Sequence, residues 1–233
     1  MFKKIFFLVQ SKTSVRVIFK FVFCKFLRIF NKSKVKKEKE YYKSLLNNLT
    51  TTSDFFSTNV YYFYKYINSY KKFNYLEIGS YEGCSAVYLA NRFKDIKIFC
   101  VDIWKKPKEE YNENLNFNDI EKNFDINSKN YPNIKKIKKY SNDFFSDNKK
   151  TFDVIYIDGH HLAEQVYKDA VNSWNILNTK GLLIFDDYIW KNYDDIAKNP
   201  CYAVNRFLSE RYNDLDIIEV TNSQIFIKKN KDY

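Results

Sequence analysis

The stretch that most constrains this chain is Tyr75-Leu76-Glu77-Ile78-Gly79-Ser80-Tyr81-Glu82-Gly83-Cys84-Ser85-Ala86. An apolar run of strand length meets two glycines four residues apart, and an apolar-periodic segment follows through Val87-Tyr88-Leu89-Ala90. That order reads as a buried strand, a tight turn and a helix. The chain has only four glycines, so two in one turn mark a strong local demand. Gly79 lets the chain leave the strand where a Cβ would block the turn or a ligand. Gly83 lets the helix begin close to whatever fills the turn, with its first N–H groups aimed at that ligand.

Downstream the pattern alternates strand and helix, the signature of a parallel sheet with helices on both faces. Strands are expected at Tyr75–Ile78, Ile96–Val101, Ile134–Lys138, Phe152–Ile157 and Leu182–Phe185. Helices are expected over Gly83–Phe93, Leu162–Leu177 and Cys201–Tyr212, with another near the end of the polar stretch 105–130. Asp216–Val220 and Gln224–Lys228, joined by Thr221-Asn222-Ser223, form a closing hairpin. Ahead of the first strand, residues 41–72 read as a helical cap that ends in an aromatic helix, Val60 to Tyr70, whose stripe suits a core. Three regions result: a basic extension over 1–40, the cap over 41–72 and an α/β domain over 73–233.

Charge separates the first region from the rest. Residues 1–40 carry twelve Lys/Arg against Glu38 and Glu40, a net +10, and the remainder of the chain nets +1. A phosphate-tracking surface needs its positive charge on the binding face, so a nucleic-acid partner is not expected. Residues 1–30 mix apolar clusters with Arg16, Lys20, Lys25 and Arg28, and no apolar run approaches the ~18 residues of a membrane span. The opening run is also short for a secretory leader. Wound as a helix, the segment fits either packing on the domain or lying as a basic amphipathic helix on an anionic membrane. Residues 31–40 read as a solvated linker or helix end. Cys24, Cys84, Cys100 and Cys201 form no metal-type or disulfide-type pattern, which suits a reduced, cytoplasmic compartment.

The chemistry-bearing residues gather after the strands. Asp102, Asn142/Asp143, Asp158 and the pair Asp186-Asp187 follow four of the five parallel strands, and the glycine turn follows the other. In open α/β sheets these carboxyl ends face the ligand. Helix N-capping explains any one such residue but not the paired acids together with Asp158. Asp102, about twenty residues beyond the glycines, suits the two hydroxyls of a ribose. The turn is Gly-x-x-x-Gly and lacks the extra glycine that a pyrophosphate needs, so a nucleoside without one fits better.

Leu76-Glu77-Ile78-Gly79-x-x-x-Gly83 with Asp102 resembles the first motifs of class I S-adenosylmethionine-dependent methyltransferases. The later segments sharpen it: Tyr156-Ile157-Asp158-Gly159-His160-His161, Val166-x-x-Asp169, Trp174-x-x-Leu177, Lys180-Gly181, Phe185-Asp186-Asp187-Tyr188-x-Trp190 and Ala203-Val204-x-x-Phe207-Leu208. Together they resemble the bacterial small-molecule and sugar O-methyltransferases similar to macrocin O-methyltransferase, over residues 73–228. The resemblance implies a Rossmann-like, mostly parallel seven-stranded sheet with a C-terminal antiparallel hairpin. It also implies that Glu77, Gly79, Ser80 and Gly83 line the methionine end of S-adenosylmethionine. Asp102 would hold the ribose, Ile103 and Trp104 would flank the adenine, and Asn142 and Asp143 would lie near its polar edge. Asp158, Asp186 and Asp187 would coordinate Mg²⁺.

In the metal-dependent members a carboxylate often stands two residues after the first ligand. Here that position is His160, so His160 or His161 is the candidate base beside Asp158, the alternative being a cap on the next helix. Tyr188 and Trp190 either wall an acceptor pocket or pack beneath the sheet, and Asp169 reads as a helix-surface acid. The expected partner is a small-molecule or glycan acceptor, and a homo-oligomer is compatible with the sequence. A dinucleotide-dependent oxidoreductase and a non-catalytic module at the membrane periphery remain as alternatives.

Overall fold

The computed structural model describes residues 1–105 and 116–231; the early part of the polar stretch 105–130 therefore lies outside the described residues. The helices in chain order are α1 (Phe2–Gln10), α2 (Val15–Leu27), α3 (Lys32–Leu46), α4 (Val60–Ile67), α5 (Cys84–Arg92), α6 (Phe117–Ser128), α7 (Ser141–Asp147), α8 (Ala163–Ile176) and α9 (Pro200–Glu210). The strands are β1 (Phe73–Ile78), β2 (Ile96–Asp102), β3 (Ile134–Lys138), β4 (Phe152–Ile157), β5 (Leu177–Phe185), β6 (Leu215–Val220) and β7 (Ile225–Lys229). They form one seven-stranded sheet in the order β3-β2-β1-β4-β5-β7-β6. The first five strands run parallel, and β7 joins antiparallel between β5 and β6. This is the mostly parallel α/β sheet with a closing hairpin that the strand spacing predicts.

Register aligns the functional edge. Ile78 lies beside Val101 of β2 and Ile157 of β4, and Ile157 beside Phe185 of β5. Gly79, Asp102, Asp158 and Asp186 therefore leave the sheet at one level. The strand order reverses between β1 and β4, which opens a crevice where neighbouring loops part in opposite directions.

Alternation along each strand makes two apolar layers. Leu76, Ile78, Ile155, Ile157, Leu183 and Phe185 pack under α8 and α9, together with Phe7, Leu8, Val17 and Phe21 of the first two helices. Tyr75, Ile98, Val154, Tyr156 and Ile184 pack on the other face against Tyr42, Phe63 and Tyr88 of α3, α4 and α5. The aromatic stripe of α4 is thus core, with Phe63 edge-on to Tyr156 at 5.0 Å.

Three elements depart from expectation. Residues 31–40, expected as a solvated linker or helix end, all but Asn31 lie in a helix that runs on over 32–46, because the lysines point outward while Glu38 and Tyr42 are buried one turn apart. Glu38 accepts from the Tyr88 hydroxyl at 2.6 Å and from Arg92 Nε at 3.1 Å. Strand β5 begins at Leu177, where Leu177 pairs with Phe152 ahead of an irregularity in the ladder. Asp169 is buried on α8, not exposed, and accepts from Gln165 Nε2 at 3.0 Å.

Candidate active site

The site begins with Gly79. Its φ of +86° is left-handed, and a Cβ there would lie 2.1 Å from the carbonyl oxygen of Asp158. The glycine therefore admits the β4 loop, so the turn after β1 and the acids after β4 share one crevice. Gly83, φ +78°, opens α5, and a Cβ would meet the Phe124 ring at 2.9 Å. The space it provides is taken by α6.

On the β1–β2 side the polar groups are tied to the protein's own backbone. Asp102 Oδ2 accepts from the Ser80 and Tyr81 N–H groups at 2.9 and 3.0 Å, and Oδ1 accepts from Trp104 N at 2.7 Å. Burial pushes this carboxyl up, against the pull of those N–H donors. Both lone pairs of Oδ2 are thus met by backbone donors, and Asp102 stays half-exposed. Trp104 is buried, donates Nε1–H to the Tyr81 carbonyl at 2.8 Å and packs on Phe124. Ile103 beside it is half-exposed. Glu77 is buried beneath the turn, where it accepts from the Ser85 hydroxyl; desolvation raises it to about 8, so it is mostly protonated at neutral pH. Ser80 Oγ, buried near the Cys100 thiol, makes no conventional hydrogen bond within the protein. Asn142 and Asp143 are exposed at the start of α7, and Asn142 exchanges amide hydrogen bonds with Gln165.

A second layer, which sequence reasoning missed, covers the turn. Glu82 accepts from Thr51 Oγ1 at 2.5 Å, from Thr52 N at 2.8 Å and from Asn123 Nδ2 at 2.8 Å. Thr52 Oγ1 lies 2.9 Å from the Tyr81 hydroxyl. Residues 50–53 are thus pinned over the glycine turn.

The β4–β5 side differs. The Tyr156 hydroxyl stands 2.8 Å from Asp158 Oδ2 and also contacts Asp186 Oδ2. One hydroxyl proton serves two carboxylates. Burial, followed by the charges of Asp186 and Asp187, holds Asp158 well above the usual carboxylate range. Burial and then Asp187 lift Asp186 to about 6.

The adjacent acids part company. Asp186 Oδ2 also accepts from Gln224 Nε2 at 2.7 Å and Asn59 Nδ2 at 3.2 Å, and Oδ1 accepts from Asp187 N at 2.8 Å. Asp187, at φ +52°, turns to His161, with Oδ2 2.9 Å from Nε2. Asp158, His161 and Asp187 each offer a ligand atom within 4.8 Å of the others. Of the acids expected to hold a metal, the geometry groups Asp158 and Asp187 with His161, while Asp186 is enclosed by side chains of the cap and of the β7 start. Two carboxylate oxygens and an imidazole nitrogen are a donor set that fits a divalent cation.

The two histidines also diverge. His160 Nδ1 accepts from the Leu162 N–H at 3.0 Å in the loop ahead of α8, a helix without a side-chain cap bond. His161 reaches the acids and sits edge-on to the exposed Trp190, ring centroids 4.9 Å apart. Tyr188 is core, its hydroxyl donating to Asn205 Oδ1 at 2.7 Å. Only long-range packing brings Asn59, Tyr156 and Gln224 to Asp186; the weak sequence signal was Tyr156, two residues before Asp158 on the same strand face.

Residues 76–188 match the model of a family described as a methyltransferase domain. No curated protein matches the chain in sequence. Among solved structures, the chain is similar to MycE methyltransferase from the mycinamycin biosynthetic pathway, seen with Mg, S-adenosylhomocysteine and mycinamycin VI (14% identity, TM-score 0.58, 84% of this chain and 54% of that one). It therefore spans about half of MycE. It is also similar to the O-methyltransferase NovP (14% identity, TM-score 0.53, 85% and 80% covered). A third neighbour is the O-methyltransferase TomG of Streptomyces achromogenes, involved in tomaymycin synthesis, in complex with S-adenosylmethionine (12% identity, TM-score 0.52, 69% and 75% covered). At these identities the structures speak for the fold.

Proposed function

We propose that this chain, whose residues 76–188 match a methyltransferase-domain model, transfers the methyl group of S-adenosylmethionine to a hydroxyl of a sugar or other small acceptor. The observation that carries this reading is the contact of Gly79 with the Asp158 backbone. It sets a nucleoside-type turn and a polar cluster with an acid and a histidine on either side of the crevice at the strand-order reversal. The half-exposed Asp102 carboxyl beside the glycine turn fits a cofactor bearing hydroxyls. The mycinamycin, NovP and TomG likenesses suggest an oxygen acceptor in a small molecule.

The transfer is a single displacement. The acceptor oxygen attacks the sulfonium methyl, the carbon–sulfur bond breaks with its electron pair going to sulfur, and the hydroxyl proton must leave. Placing oxygen, methyl and sulfur in line is the main task of the crevice. We assign the proton to His161, the imidazole that faces the acids. The Asp187 carboxylate, 2.9 Å from Nε2, steadies the imidazolium that forms. Asp158 and Asp187 would hold Mg²⁺ or a similar cation, which when bound lowers the pKa of a coordinated hydroxyl. The 4.8 Å grouping favours a second assignment, in which His161 completes the cation's donor set.

The test is calorimetry with S-adenosylhomocysteine and Mg²⁺ or Mn²⁺, together with methyl transfer to candidate sugars with and without EDTA. Binding of NAD and not of S-adenosylhomocysteine would overturn the reading. In His161→Ala, cation binding retained with turnover lost supports the base assignment, and cation binding lost supports the ligand assignment.

A further inference from the structure

The first two helices are apolar on two opposite faces. Val17, Phe21 and Cys24 of α2 are buried against the sheet, where α2 packs on β6. Val15, Phe19, Val22 and Phe26 recur at i, i+4, i+7 and i+11 on the opposite side, and all are exposed, Phe19 at 71%. Phe30, in the turn after α2, extends the stripe at 71% exposure and packs edge-on to Phe26; Phe19 stacks on Phe23. Helix α1 repeats the arrangement, with Phe7 and Leu8 inside and Phe2, Phe6 and Val9 outside. The helices are fastened to the body: Lys4 Nζ donates to the Asn222 carbonyl at 2.5 Å and Arg28 Nη2 to the Val220 carbonyl at 2.7 Å. The outer stripe is therefore a fixed surface. A contiguous apolar patch of this kind on a folded protein marks a docking site.

The surroundings identify the occupant. Next to the stripe a groove of about 570 Å³ runs between the end of α2 and α3. Lys25, Arg28, Lys32, Lys36, Lys39 and Lys43 line it, against Glu40 as the acid in its wall. Within residues 1–40 the net charge is +10. A second copy would bring two such faces together, and their repulsion disfavours it. An acidic protein pocket matched to the lysine groove would leave the exposed apolar faces of both helices uncovered. An anionic bilayer satisfies both halves: its interface takes the aromatic side chains and its headgroup phosphates meet the lysines. Among the described residues no helix is long and apolar enough to cross a membrane, so the contact lies at the surface.

We propose that the outer face of α1 and α2, with the lysine groove beside it, docks this protein on an anionic lipid surface. The contact is separate from methyl transfer and stands whether or not that reading holds. The experiment is flotation of the full chain with vesicles of phosphatidylcholine alone and of phosphatidylcholine with phosphatidylglycerol, at low and high salt. The expected result is flotation with the anionic vesicles only, weakened by salt. Phe19→Glu with Phe26→Glu, and separately Lys32→Glu with Lys36→Glu, should each weaken it at least about tenfold, since each basic charge near such a surface contributes roughly tenfold or somewhat less. These side chains are exposed, and an unchanged thermal melt establishes that the variants fold. The proposal is overturned by absence of flotation with anionic vesicles, by equal flotation with phosphatidylcholine, or by undiminished flotation of both variants. It is equally overturned if light scattering shows a dimer that Phe19→Glu with Phe26→Glu dissociates while vesicles do not bind, or if inorganic phosphate alone binds the groove and vesicles do not.

Discussion

The two sides of the crevice carry similar residues in opposite conditions. After β1 and β2, Asp102 is met by three backbone N–H groups, and its negative charge helps to build the glycine turn. After β4 and β5, Asp158 and Asp186 share one tyrosine hydroxyl, and Asp187 faces a histidine. The first carboxylate is part of the scaffold. The others crowd like charges together, an arrangement that costs stability unless a cation or a proton relieves it. Strand-end acids in one sheet thus either brace a loop or stand crowded together, and the donors around each decide which.

Gly79→Ala should break the comparison altogether, because it removes the contact that joins the two sides. The substitution forces a Cβ onto the Asp158 carbonyl at a left-handed φ. A loss of ~3 kcal/mol or more in denaturant unfolding is expected, together with loss of S-adenosylhomocysteine binding. A stable Gly79→Ala protein with full activity would sever the link between fold and site.

Asp187→Asn sharpens the contrast. It should lower turnover by about a hundredfold or more and weaken cation binding, with little change in thermal stability. Asp102→Ala should do the reverse in stability: about 1–3 kcal/mol lost, because buried N–H donors lose their acceptor. If both variants lose stability equally, the division between scaffold and chemistry fails.

How much of this was legible varies with the range of the interaction. Strands β3 and β4 begin and end where the sequence places them, β4 as a mostly apolar run and β3 as two isoleucines among lysines, each bounded by polar turns. The start of β5 was hidden because Leu177-Asn178-Thr179-Lys180-Gly181 reads as a helix end, and only pairing with Phe152 reveals a strand. The helix over 32–46 was masked by its lysines, although Glu38 and Tyr42 already sat one turn apart. The acids themselves were legible. Their division was not: Asp186 is claimed by Asn59 and Gln224, 127 and 38 residues distant in sequence. Strand alternation still offered a hint, for Asp186 shares a face with Ile184 while Asp187 needs a left-handed turn to reach His161.

The smallest effect comes from an acid that belongs to neither side. Asp169 is buried on α8 with neutral partners, Gln165 and Ser141, and desolvation raises it from 3.8 to about 6. The folded protein therefore holds this proton more tightly than the unfolded chain does. Its contribution is best below about pH 4, declines as pH rises between ~4 and ~6, and is constant above that. Asp169→Asn retains an acceptor for Gln165 without a buried charge. It should raise stability at pH 7 by about 1–2 kcal/mol, because holding a proton tenfold more tightly is worth roughly 1.4 kcal/mol and the weaker amide acceptor gives part of that back. The gain should vanish near pH 4. Denaturant unfolding of both proteins across that range reads it directly. Asp102 is raised by the same burial but is held by backbone N–H donors, so Asp102→Asn should show no such gain. A matching gain there would mean that the N–H groups of the glycine turn do not need the charge, and the division between the two sides would rest on burial alone.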